Sequence, residues 1–174
     1  MTFITFLVLC ACVLVADSFS DHYWIDWNGT LPSNAFVAGK DIRGKLYVVQ
    51  AYVENYGTFV GYISENQTTS IINPCLGLGP VQKVSDTKIL CTTTDSLAWI
   101  PSNHTCTPTI LRYTFPVLGG LTDEGEKVYV GRYSVGEHTY IGNVHTNYNI
   151  YFTNYKSGGA LRSTYDILIY PGRD

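Results

Sequence analysis

Charge is scarce in this chain: Asp, Glu, Lys and Arg together make up 14% of its 174 residues, and the Lys and Arg are scattered rather than grouped. Without a basic stripe there is no electrostatic footprint for a phosphate backbone, so nucleic acid is not an expected partner. Long apolar runs are missing too. Beyond the first stretch nothing approaches the roughly eighteen consecutive apolar residues of a membrane span, and no hydrophobic tail follows Tyr170-Pro171-Gly172-Arg173-Asp174. Neither a membrane span nor a lipid anchor is expected of the mature protein. No window sustains the period of an amphipathic helix, which argues against an all-helical fold.

The motifs of common catalysts are absent as well. There is no G-x-S-x-G elbow and no H-E-x-x-H pair, and His22, His104, His138 and His145 share no spacing that would ligate a metal, so packed or solvated histidines are expected. Gly119-Gly120 and Gly158-Gly159 are not followed by Lys-Ser or Lys-Thr, so turns with positive φ are expected there rather than phosphate loops. The short acidic run Asp123-Glu124-Gly125-Glu126 reads as a solvated loop in preference to a calcium site. The chain is therefore expected to be no enzyme, and to need no metal and no cofactor.

What is present points outside the cell. Phe3 to Ala16 is an apolar stretch too short to cross a bilayer, and Ser18 and Ser20 place small residues before Asp21, so residues 1–20 read as a signal peptide. Three acceptor sequons, at Asn28, Asn66 and Asn103, fit a secreted glycoprotein. Three cysteines, Cys75, Cys91 and Cys106, remain beyond the leader. An odd number permits one intrachain disulfide at most, Cys75–Cys91 or Cys91–Cys106, with a thiol left over that could join two chains into a homodimer. Tyr, at 14 residues, and Gly, at 16, dominate a β-rich composition.

The chain also repeats itself. Val37-Ala38-Gly39 and Gly44-Lys45-Leu46-Tyr47-Val48 return as Val117-Leu118-Gly119 and Gly125-Glu126-Lys127-Val128-Tyr129-Val130, about 80 residues later. Each copy continues into a hairpin, turning at Glu54-Asn55-Tyr56-Gly57 and at Gly136-Glu137-His138. Apolar residues fall on both faces of the first strand: Tyr47, Val49, Ala51 and Val53 on one, Leu46, Val48 and Tyr52 on the other. A strand of this kind is covered on both sides, which predicts two sheets packed together.

The stretch Leu31-Pro32-x-x-Ala35-x-x-Ala38-Gly39-x-Asp41, then Gly44-x-Leu46-Tyr47-Val48, a hairpin, and a closing Tyr165-Asp166-Ile167-Leu168 resembles the DM9 repeat over roughly residues 24 to 170. That family, found in insects and molluscs, commonly carries tandem copies and includes mannose-binding lectins that act in innate immunity. The resemblance implies an all-β fold in which two tandem repeats of antiparallel hairpins, residues 24–95 and 96–170, pack as a pseudo-symmetric, sandwich-like unit.

It also implies a sugar site made from an acidic residue after the Ala-Gly pair and a Lys in the second hairpin strand. Asp41 matches the first position and Tyr62 stands at the second; in the other copy the positions fall on Leu121 or Asp123 and on Asn143. The basic partner is absent from both. Asp41 has a second reading as a turn residue that bonds its own backbone, and Trp24 and Trp27 could stack on sugar rings or lie buried against the repeats, burial being the stronger reading. The expected protein is a secreted carbohydrate-binding, pattern-recognition protein whose partners are glycans, of mannose type by resemblance. The alternative is a non-enzymatic scaffold that has lost sugar binding and engages a protein partner.

Overall fold

The computed structural model describes residues 22–72, 74, 79–83, 85–93, 97–154 and 158–171, with the backbone alone at 154 and 158. The leader and Cys75 lie outside these residues. The first half forms β1 (His22–Asp26), β2 (Val37–Asp41), β3 (Gly44–Val53), β4 (Gly57–Ser64), β5 (Ser70–Ile72), β6 (Val81–Lys83) and β7 (Thr87–Thr92). The second forms β8 (Ala98–Asn103), α1 (Thr107–Tyr113), β9 (Phe115–Pro116), β10 (Leu118–Leu121), β11 (Lys127–Val135), β12 (His138–Val144), β13 (Ile150–Asn154), β14 (Gly158–Arg162) and β15 (Thr164–Tyr170).

All strand pairs within the sheets are antiparallel, and each sheet takes its strands from one half of the chain. One runs β1-β7-β3-β4-β5-β6 with β2 beside β3; the other runs β14-β13-β12-β11-β15-β8 with β10 beside β11. Read from the opposite end, the second order is the first, strand for strand. The likeness extends to irregularities: β2 and β10 both carry a bulge against their partner strand. It extends to single bonds too, since Phe36 N–H donates to the Leu90 carbonyl at 2.8 Å and Val117 N–H to the Leu168 carbonyl at 2.9 Å.

The two sheets pack face to face, as the doubly apolar strands required. Leu46, Val48, Val60 and Tyr62 from one sheet meet Val130, Ile141 and Leu168 from the other in the shared layer. The outer face of the first sheet is a second core, in which Val49, Ala51, Phe59 and Ile89 are roofed by Trp27 and by Leu31 and Ala35 of the β1–β2 connection. Trp27 is thus buried, as its stronger reading held. The outer face of the second sheet is covered partly by Ile110 and Leu111 of α1.

The helix was not expected. It spans only Thr107–Tyr113, too short for a periodic signal, and starts where Pro108 occupies the first turn. Its anchor is a buried hydroxyl chain: Thr107 Oγ1 lies 2.6 Å from both Ser102 Oγ and the Tyr165 hydroxyl, which donates to the Tyr148 carbonyl at 2.9 Å. Burial raises the Tyr165 pKa, which keeps that hydroxyl protonated as a donor.

The glycine pairs expected in positive-φ turns are strand residues instead: Gly119-Gly120 lies in β10, neither with positive φ, and Gly158-Gly159 lies in β14. In β10 the reason is proximity. A Cβ on Gly120 would stand 1.9 Å from the Thr58 carbonyl oxygen, and one on Gly119 would stand 2.1 Å from Val60, so only glycine lets β10 lie against β4 of the other sheet.

Candidate functional site

The turn between β2 and β3 decides what Asp41 does. The carboxylate accepts the Arg43 backbone N–H at 2.7 Å on Oδ1, and the Arg43 Nε and Nη2 at 3.0 and 2.6 Å on Oδ2. Its side chain is 2% exposed, whereas that of Arg43 is 32% exposed. Asp41 is therefore an aspartate that builds its own turn and fixes a guanidinium at the surface. The cation paired with Asp41 is Arg43, two residues along the same turn.

Tyr62 lies in the same neighbourhood. It is buried in the layer between the sheets, and burial, with Asp41 and Tyr140 adding to it and Arg43 opposing it, raises its phenol pKa. The hydroxyl thus stays protonated and the ring offers no face to solvent. Tyr140, from β12 of the other sheet, is half-buried in a ring cluster with Tyr133 and Phe152. The sugar site implied at Asp41 and Tyr62 is not open: both residues are buried, and of the three it is Arg43 that reaches solvent.

The other two expected residues are elsewhere. Strand register pairs Asp41 with Gly44, and the corresponding place in the second half belongs to Thr122, whose N–H bonds the Glu126 carbonyl at 2.9 Å. The second loop is longer by one residue, and Asp123 sits in it, exposed, its N–H bonded to the Tyr56 carbonyl at 3.0 Å. Asn143, opposite Val130 as Tyr62 is opposite Val48, is fully buried. Its Oδ1 accepts the Val60 N–H at 2.6 Å and its Nδ2 donates to the Val60 carbonyl at 2.8 Å. That amide completes the edge of β4 across the sheet interface and is closed to a ligand.

Cys91 is buried in β7 and Cys106 is exposed at the start of α1, and both are free thiols. Cys91 and Cys106 are not paired with each other, because β7 holds Cys91 within the core of the first sheet while Cys106 faces solvent on the second; Cys75, the other expected partner, lies outside the described residues. The sequon residues Asn28 and Asn66 are exposed. Asn103 is half-buried, its Oδ1 accepting the N–H groups of Thr105 and Cys106, each at 2.8 Å. Among the described residues no three His, Cys, Asp or Glu side chains converge on a point, and no helix is long and apolar enough to cross a membrane.

On the side of the molecule where β10 meets β1 and β4, a cleft of about 510 Å³ opens between the sheets, lined by Tyr23, Trp24, Gln50, Thr58, Leu118 and Leu121 among others. Sequence had named Trp24 here but not its companions, which come from four separate strands. No curated protein matches the chain. Residues 79–160, from just before β6 into β14, match the family model of the DM9 repeat.

Proposed function

We propose that this protein is a secreted, non-enzymatic, carbohydrate-binding recognition protein of the kind that acts in innate immunity. The observation that carries the reading is the DM9 match, a family with lectin-like members. Geometry supports it in two ways. The strand-for-strand likeness of the halves favours reading residues 24–95 as a diverged first copy, and the Asp41–Arg43 pair restores an acid and a base at the position where the family's sugar site would fall. There Asp41 acts through Arg43, whose N–H groups are the sugar-facing donors. Secretion rests on the apolar stretch from Phe3 to Ala16, and the exposure of Asn28 and Asn66 suits glycosylation.

A second reading has its own support. Because the Asp41 carboxylate is committed to Arg43, and Tyr62 and Asn143 are buried, the family's sugar position is reshaped, which favours a scaffold that engages a protein. A glycan array probed with the purified mature protein and with Arg43→Ala separates the two. Binding lost in the variant places the sugar at the β2–β3 turn; binding kept in the variant supports the lectin reading with the sugar seated elsewhere. Silence of the folded wild-type protein across the array sinks the lectin reading and leaves the scaffold.

A further inference from the structure

The halves build the same cleft twice, and one of the two is filled by the protein itself. In the second half, Trp99 of β8 stands opposite Leu168, and Arg132 of β11 opposite Ile141 and Asp166. The Arg132 guanidinium lies over the Trp99 ring, its Cζ at 4.5 Å from the centroid. It is held there by Asp166 Oδ2, 2.8 Å from Nε, and by the Ala38 carbonyl, 3.2 Å from Nη1. A planar cation thus covers the aromatic face.

In the first half the same register places Trp24 opposite Leu90, and Gln50 opposite Val60 and Lys88. Gln50 is shorter than arginine and carries no charge, and where Asp166 would hold it there is Lys88, itself paired with Asp26 at 3.0 Å. Among the described residues no cation is drawn over Trp24 as Arg132 is over Trp99. The rim differs in the same sense: Leu121 takes the place that Lys40 holds in the other half. The result is the cleft of about 510 Å³, within the roughly 300–1,000 Å³ usual for small-ligand sites.

Its chemistry is specific. Trp24, half-buried, supplies the aromatic surface, with His22 on the same face of β1 beside it, and Leu118 and Leu121 form an exposed apolar rim. The Trp24 indole N–H, the Gln50 amide and the Thr58 hydroxyl make no side-chain hydrogen bond among the described residues. Among the described residues lining the cleft there is no Lys, Arg, Asp or Glu. A pyranose has an apolar C–H face and a rim of hydroxyls that both donate and accept, which matches an aromatic wall flanked by an amide and a hydroxyl.

We propose that the open cleft beside Trp24 is a binding site for a neutral saccharide, and that its counterpart at Trp99 is closed by Arg132. The proposal rests on the carbohydrate-binding reading above and deepens it: one saccharide per chain at this site, uncharged. Acidic sugars find neither Lys nor Arg in this wall, where His22 is the one basic side chain among the described residues.

The test uses the residues of the closed half as blockers. The full mature protein, Leu121→Lys and Gln50→Arg are screened on immobilised neutral oligosaccharides (mannan, β-glucan, chitin and galactan oligomers) beside sialylated and sulfated ones. The strongest glycan is then titrated while tryptophan emission is followed. Leu121 is 45% exposed, so Leu121→Lys leaves the core intact, and circular dichroism confirms the fold of both variants. The expected result is binding of neutral glycans by the wild type, a shift in indole emission, and affinity at least about tenfold weaker in both variants. Wild-type binding unchanged in both variants overturns the cleft proposal and leaves the carbohydrate reading standing; silence of the wild type overturns both. Variants that alter the sedimentation coefficient while glycan binding stays unchanged overturn the proposal in favour of a contact between copies of the chain.

Discussion

A single side-chain amide ties the backbones of the two sheets together. Asn143 satisfies both the N–H and the carbonyl of Val60, and all three groups are buried. Asn143→Ala would leave a donor and an acceptor without a partner in a dry interface, which costs about 3 kcal/mol, read as a lowered midpoint in urea denaturation. An unchanged midpoint would mean that water replaces the amide. The position was legible in the sequence as the counterpart of Tyr62, but its work was not, because its partner lies 83 residues away. Asp41 was more legible: the same local contact that suggested a turn-forming aspartate is the one observed, and only the nearby guanidinium extends it.

His145 makes a different residue-scale prediction. It packs on Phe59 and Tyr151, and its Nε2 lies 2.8 Å from the Pro74 carbonyl, so the neutral ring donates a hydrogen bond there. Burial lowers its pKa from the ordinary 6.5, with the Pro74 carbonyl and Glu126 opposing. A folded-state pKa below that of the unfolded chain means the unfolded chain takes up the proton first. The contribution to stability is therefore complete above about pH 6.5 and is lost as pH falls through that value toward the folded pKa. Melting curves at about pH 7.5 and 5.5 should show a fall in Tm on acidification that shrinks in His145→Gln, which keeps a donor and does not titrate. An equal fall in both proteins would assign the acid sensitivity to other groups.

At the scale of elements, close approach explains what turn chemistry could not. Gly61 in β4 and Gly142 in β12 occupy matching places, and a Cβ on either would stand 1.9 Å from the Ile71 oxygen or 2.1 Å from the Tyr151 oxygen. Neither has positive φ, so the demand comes from the neighbouring strand and not from the local backbone. Gly142→Ala should push β13 from β12 and cost about 3 kcal/mol by the same denaturation measurement, more than overpacking a flexible side chain would. The hairpins β3–β4 and β11–β12 could be read directly, since apolar runs bounded by Asn, Gly and Glu specify them locally. The β10 glycines could not, because what excludes a side chain there is β4, which lies far away in sequence. Helix α1 escaped notice for another reason: two turns held by one buried hydroxyl chain leave almost no period in the sequence.

At the scale of the whole molecule, the repeat in the sequence became a repeat in topology, yet the function-bearing differences lie where the halves diverge. Register shows Gln50 against Arg132 and Leu121 against Lys40, but a sequence comparison alone pairs Val37 with Val117, one residue away from the structural partner Leu118, and so misses the contrast. The candidate site was legible only as a family position and two tryptophans; the cleft needs strands from both halves and exists only once they are packed. The same interlocking sets the thermodynamics. The central layer draws Leu46, Val48 and Val60 from one half and Val130, Ile141 and Leu168 from the other, all nearly inaccessible to water, so separating the sheets exposes both. Neither half keeps an apolar layer of its own there, and neither can hold its fold alone. The protein should therefore unfold in one transition by calorimetry, with van't Hoff and calorimetric enthalpies in agreement. Residues 22–95 expressed alone should give a chain lacking cooperative melting. Two resolved transitions, or a cooperative melt of that fragment, would show instead that each sheet is stable on its outer core, with Trp27 and α1 as sufficient cover.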